Sequence, residues 1–238
     1  MKIKKAYIQL VAVMGLVIFL YAFTNDRNSK RKLTRVEVQF VNSENLFITY
    51  PTVNKLLIQN KDTITNIAKE KLVLNKLEET LNANQMIRDA QVYLTVNGKL
   101  GAKIRQRTPI ARVKGKQMYY LDSEGESMPL SSVFSARVPL ITGAVSEKNL
   151  PEVYKLAKYI WNDIFLKQHV IDIQVKNNHF ELLLRKDDFK VVVGKSDHLT
   201  HKFRNFKAFY QKAQKDGSIT RYKQVSLQFD NQVVCTKK

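Results

Sequence analysis

Ala6 to Phe23 (AYIQLVAVMGLVIFLYAF) runs for 18 residues without a charge, and Gln9 is its one strongly polar side chain. As a helix it spans about 27 Å, close to the roughly 30 Å hydrocarbon core of a bilayer. Tyr7 and Tyr21 stand at its two ends and are the expected membrane-interface residues, because amphipathic rings favour the headgroup zone. A cleaved signal peptide would have an apolar run of only about 7–15 residues ending in a small-x-small site, and Ala22-Phe23-Thr24 is a poor one. A buried core helix fits badly, since the segment is apolar all round. The expectation is a retained transmembrane signal anchor over residues 7–24, with a short basic tail at 1–6 and a polar linker at 25–32. Lys2, Lys4 and Lys5 precede the span, while Arg27, Lys30, Arg31, Lys32 and Arg35 follow it. That count favours a cytoplasmic C-terminal side, yet long domains translocate despite such a bias, so charge alone leaves the orientation open.

The remaining chain is long enough for two small domains with real cores. Val36, Val38 and Phe40 alternate with Arg35, Glu37 and Gln39, which predicts a half-buried strand over 33–41. Pro51 to Gln59 predicts a helix with Pro51 in its first turn, and Lys61 to Val73 is an irregular connection or a further helical turn. Asn75 and Glu78 have capping-box spacing ahead of a stripe of Leu74, Leu77 and Leu81. Val92, Leu94 and Val96 then alternate up to Asn97-Gly98, and Leu100, Ala102 and Ile104 alternate away, the signature of a two-residue hairpin. Residues 33–107 therefore form one small domain, strand-helix-helix-hairpin.

Beyond Pro109 the expected order is a strand over 117–121, a turn at Asp122-Ser123-Glu124-Gly125, a short extended piece over 139–143 and a helix over 151–165. Strands over 170–176, 180–185 and 189–193 follow in meander order around Asn177-Asn178 and Asp187-Asp188. A helix then carries Leu199, Phe203, Phe206, Tyr210 and Ala213 on one face. Strands over 224–229 and 232–236 close the chain around a turn at Asp230-Asn231. The fold class is α+β: the transmembrane helix, the small domain, then a larger antiparallel β domain over 108–238 with two helices.

Catalysis has no address in this chain, which is expected not to be an enzyme and to need no cofactor. Ser29-Lys30-Arg31-Lys32 matches S-x-x-K but lies in a basic linker without its companion motifs. His198 and His201, with Asp197, fall short of a zinc ligand set, and no metal site is expected. Asp122 to Gly125 lacks the spaced oxygens of a calcium loop, and Asp187-Asp188 is a turn before it is a dyad. Trp161 is expected to pack a helix. The single cysteine, Cys235, rules out an internal disulfide. Forty Lys+Arg against 21 Asp+Glu give a net charge of +19. The excess is spread over strand and helix faces such as Lys99, Lys103, Arg105 and Arg107, or Lys202, Arg204, Lys207, Lys212 and Lys215. These are first solvated faces, and nucleic acid is not an expected partner.

The last strand offers a function. A chain-terminal strand at a sheet edge can take up a partner's strand through its unpaired backbone groups, or it can simply pair inside the sheet. Val225, Leu227, Phe229, Gln232, Val233, Val234 and Cys235 are the expected partner-binding residues, and Pro at Val233 or Val234 is expected to remove edge donors.

The order of segments resembles the FtsQ/DivIB bacterial cell-division proteins, whose small domain is a POTRA module. Met86 to Val92 is similar to the segment entering the POTRA hairpin, and Arg107-Thr108-Pro109-Ile110-Ala111 to the family's Arg-x-Pro-x-Ala junction. Tyr119 to Gly125 resembles its aromatic, Asp and Gly turn, and Val138 to Gly143 its Pro-Leu-x-Gly strand. Val193-Gly194, the 199–206 helix and Leu227-Gln228-Phe229 fall where the family has comparable elements. The resemblance implies a non-catalytic bitopic scaffold of the division septum, N-terminus in, with its domains outside the cytoplasmic membrane. Its implied partners are membrane lipid, FtsB-like and FtsL-like single-pass coiled-coil proteins, and the septal wall synthases. It further implies that the last strands take up a strand of the FtsB-like partner, with Phe229 at the position of an important aromatic. The family's Asp-Leu-Arg-aromatic reads Ser226-Leu227-Gln228-Phe229 here, so polar contacts differ while backbone pairing survives. Two other readings stand beside it: a POTRA-bearing factor for envelope protein biogenesis, and a membrane-tethered binder of an anionic polymer.

Overall fold

A computed structural model describes residues 5–29, 35–41, 47–58, 74–95, 97–177, 179–229 and 232–238. Residues 1–4 of the basic tail, 30–34, the 61–73 connection, Val96, Asn178 and the Asp230-Asn231 turn lie outside the described residues. The Ser29 to Lys32 motif falls there too, apart from the backbone of Ser29. Contacts divide the chain into two units, residues 1–106 and 107–238.

Helix α1 runs Lys5–Ser29 and contains a 21-residue stretch, Tyr7–Arg27, long and apolar enough to cross a membrane. None of that stretch is buried against the rest of the protein, and Tyr7 and Tyr21 both point outward. The expected linker does not begin at residue 25. No Gly or Pro interrupts Thr24 to Ser29, so the helix continues through it. Its 25 residues reach about 37 Å, enough to carry the last turn past the hydrocarbon.

The first unit pairs β1 (Arg35–Phe40), β2 (Ile87–Leu94) and β3 (Lys99–Gln106) in the order β1-β3-β2, with β1 parallel and β2 antiparallel to β3. Helices α2 (Tyr50–Ile58) and α3 (Leu74–Asn82) supply Val53, Leu57 and Leu81 to a core completed by Ile87, Val92, Leu100 and Ile104. Buried Gln106 ties the chain entering α2 to the sheet, its Oε1 accepting from the N–H of Phe47 (2.8 Å) and Ile48 (3.2 Å). The hairpin exists, but its loop is one residue longer than expected. Thr95 and Lys99 close it, with Thr95 N–H donating to Lys99 C=O at 2.9 Å, and Gly98 takes φ +78 between them.

The capping box is not used as such, because Asn75 sits inside α3. Glu78 reaches across instead and accepts Val92 N–H at 2.6 Å, and Asn82 Oδ1 accepts Ala90 N–H at 2.8 Å. β2 is an outer strand, so these two side chains answer its outward donors and close that edge. Glu78→Ala leaves the Val92 N–H unpartnered and is expected to cost about 1–3 kcal/mol, read by chemical denaturation of the full chain.

The second unit is one nine-stranded sheet. Its strands are β4 (Pro109–Lys114), β5 (Met118–Asp122), β6 (Ser127–Pro129), β7 (Leu140–Gly143), β8 (Val170–Lys176), β9 (His179–Leu184), β10 (Lys190–Gly194), β11 (Tyr222–Ser226) and β12 (Val234–Lys237), in the order β12-β11-β10-β9-β8-β7-β4-β5-β6. The sheet is mixed, a correction to the antiparallel expectation: β7 runs parallel to both β4 and β8, and β10 parallel to β11. Parallel neighbours need a long crossover: β5, β6 and residues 130–139 make the one between β4 and β7, and helices make the other two. Helix α4 (Leu150–Asn162) and α5 (Ile164–His169) link β7 to β8, and α6 (Leu199–Lys215) links β10 to β11. The single helix expected over 151–165 is thus two. Asp163 breaks it with an extended backbone and caps α5 by accepting Leu166 N–H at 3.0 Å, which turns Ile164 outward at 79% exposure instead of onto the apolar face.

Across the strands one face carries Val113, Ile141, Ile173, Leu182, Val191 and Val225 in register, all buried. Val153, Leu156 and Ile160 of α4 and Leu199, Phe203, Phe206 and Tyr210 of α6 join the same core. Trp161 packs half-buried against it beneath the Lys167 ammonium, 3.4 Å from the ring centroid. Lys207 pairs with Asp163 and Lys202 with Asp197, so two lysines of the expected solvated face are instead tethers.

The C-terminal edge as candidate partner site

β12 is the outermost strand at one end of the nine-stranded order. Its register on β11 is antiparallel, with Gln224↔Thr236, Val225↔Cys235 and Ser226↔Val234. Leu227 N–H donates to Val192 C=O (2.8 Å), and β11 lies parallel to β10 with Val192 opposite Ser226. Residues 225 and 227 thus turn their N–H toward β10, and 224 and 226 toward β12. Val234 and Thr236 are then the residues bonded to β11, and Lys238 N–H continues the set by donating to Arg221 C=O at 2.9 Å. Val233, Cys235 and Lys237 turn their backbone groups to the open side. Among the described residues no side chain answers them, in contrast to Glu78 and Asn82 at β2.

The seven expected site residues separate into three groups. Val225 (0% exposed) and Leu227 (2%) are core residues, so their side chains do not face a partner, a correction to the sequence expectation. Val233 and Cys235 are half-buried against the same core. Phe229 (48% exposed) and Val234 (41%) are open, and so is Gln232. Regular strand ends at Ser226 and resumes at Val234, so Leu227 to Phe229 is not the strand the alternation predicts. Leu227 nonetheless extends along β10 through its Val192 bond, and the Gln228 side chain lies against Gly194, where a Cβ would come within 2.9 Å of its Cγ. By sequence Val233 and Val234 are equivalent, but the register separates them: the Val234 N–H belongs to the β11 ladder, and Val233 precedes the strand with its C=O on the open side. Burial pushes the Cys235 thiol up, away from the thiolate form.

The other candidate chemistry resolves into packing. Asp187 accepts from Tyr210 Oη at 2.8 Å, and burial together with that carboxylate pushes the phenol up to about 12. Asp188 lies 3.7 Å from the Lys238 ammonium, so the pair is no dyad. Among the described residues no three His, Cys, Asp or Glu gather around a possible metal position.

Two comparisons bear on identity. A family model described as FtsQ/DivIB, C-terminal related, matches residues 108–236, more than half of the chain. The chain belongs to the FtsQ/DivIB family. A second model, for a POTRA-like domain, matches residues 32–105, and a search of curated proteins found no match. The family is one of non-catalytic division scaffolds, and α1 supports a single-pass membrane protein.

The junction residues of the family take a physical meaning here. Arg107 Nη1 donates to Asp122 Oδ2 at 2.8 Å, and Asp122 Oδ1 accepts the N–H groups of Glu124 and Glu126, each at 2.8 Å. That carboxylate is 2% exposed, which leaves it no capacity for calcium. Ile110 and Ala111 enter the core directly after it, and Tyr154 Oη of α4 donates to Ser123 C=O at 2.9 Å across the same turn. Arg112 Nη2 donates to Tyr120 Oη (2.6 Å) and Ser135 Oγ (2.5 Å), pinning the segment after β6. Burial raises the Tyr120 phenol, but its bonds to Ser135, Arg112 and Ala136 outweigh that and hold it below its ordinary value. The sequence contains this signal only as a motif, since nothing in the spacing of Arg107 and Asp122 announces a contact.

Proposed function

We propose that this chain is a bitopic scaffold of the division septum that captures a strand of a small single-pass coiled-coil protein along β12. The observation that carries the reading is the contrast between two of the outer strands, β2 answered by Glu78 and Asn82, β12 with Val233, Cys235 and Lys237 turned outward. Main-chain bonds give such capture its affinity, and exposed neighbours such as Phe229 and Val234 give it selectivity. FtsB-like and FtsL-like proteins are the partners in this reading, linked through the scaffold to the septal wall synthases. Family membership supports the N-terminus in and both domains outside the cytoplasmic membrane. The chain itself carries out no catalysis.

Depletion in a growing culture is expected to give filaments with unfinished septa. Envelope leakage from cells that still complete their septa contradicts the reading and favours a factor for envelope protein biogenesis.

A further inference from the structure

We propose that the cleft between α4 and the start of α6 binds a phosphate group. It is a cavity of about 580 Å³ whose wall includes Lys155, Lys158, Tyr159, His198, Thr200 and His201. Four basic side chains line it and no carboxylate does. The acids next to its lining residues in the chain are engaged elsewhere, Asp163 by the Lys207 ammonium and Asp197 by the Lys202 ammonium, and Glu152 of α4 meets the Ser196 hydroxyl. Lys158 donates to Tyr154 Oη at 2.6 Å and so is held in place. Lys155 is exposed on the same face of α4, one turn earlier. His198 precedes α6 with its side chain making no capping bond, and the hydroxyl-bearing Thr200 and His201 follow in the first turn. These donors come from two helices and point-like groups, a set that suits the several oxygens of a tetrahedral anion. A carboxylate is better matched by an arginine fork, and the lining holds none. The site is separate from β12, so it stands or falls independently of strand capture.

Histidines supply the readout, because the chain has four and two of them, His198 and His201, lie in the cleft. Full-length protein in dodecyl maltoside, labelled with ¹⁵N-histidine, is titrated with inorganic phosphate at fixed pH and ionic strength. His198 and His201 should shift along one saturable curve, with His169 and His179 unmoved. Lys155→Glu should weaken that curve at least about tenfold. Lys212→Glu, the same charge change in the last turn of α6, should leave it within about twofold. Dihexanoylphosphatidylglycerol identifies the source: competition makes it a lipid headgroup, and no competition makes it a soluble or polymeric phosphate. Unsaturable shifts, equal shifts of all four histidines, or equal weakening by both variants overturn the proposal.

Discussion

Cys235→Pro is expected to abolish strand capture while leaving the second unit folded. Proline is tolerated in an edge strand where its nitrogen faces away from the sheet, and residue 235 is turned that way by the pairing of Ser226 with Val234. Its ring removes an outward donor and crowds the incoming backbone, so the partner should be retained at least about tenfold more weakly. Val233→Pro, just ahead of the strand, should likewise spare the β11 ladder. Val234→Pro should not, because its N–H belongs to the β11 ladder, and its loss should loosen β12 itself and lower the unfolding midpoint. Co-purification of the single-pass partner, read beside thermal melts, separates the two classes. Equal binding by folded Cys235→Pro protein contradicts the edge assignment.

Arg107→Ala should be the most damaging single change at the domain junction. Asp122 is almost fully buried, and the Arg107 guanidinium is its one charged partner among the described residues. Removing that partner leaves a desolvated carboxylate on two backbone N–H groups, at a cost of about 3 kcal/mol. For a unit of this size the melting temperature should fall by about 10 °C. Adding Asp122→Asn to Arg107→Ala should recover part of the loss, because the unpaired charge is gone. Circular dichroism melts of the full chain measure both, and a fall under about 2 °C for Arg107→Ala contradicts the buried-pair account.

What the sequence makes legible is what depends on near neighbours. The stripe of Leu199, Phe203, Phe206, Tyr210 and Ala213 is buried as its spacing predicts, and the 170–194 meander pairs in the expected order. Strand direction was not legible, because a parallel pair such as β10 and β11 is defined by where α6 returns the chain. Asp163 was hidden inside an apolar period that continues to Ile164, and only the capping bond to Leu166 shows the break. Glu78 has the spacing of a cap and serves a strand instead, since Val92 is brought to it by the hairpin. The candidate site shows the same division. Alternation marks Val225 and Leu227 as strand-like, but only register reveals that they face the core while Phe229 and Val234 remain open. The cleft of Lys155 and His198 joins residues far apart in the chain, beyond the reach of periodicity.

Photo-crosslinking in living cells tests the central claim most directly, with the reactive residue placed in turn at Phe229 and Val234, and at exposed Met118 on β5 as the control. The account predicts adducts from 229 and 234 to a small single-pass coiled-coil protein, lost in a Cys235→Pro background and missing from 118. Adducts of equal yield from 118, or adducts from 229 and 234 only to outer-envelope assembly factors or cytosolic proteins, contradict it.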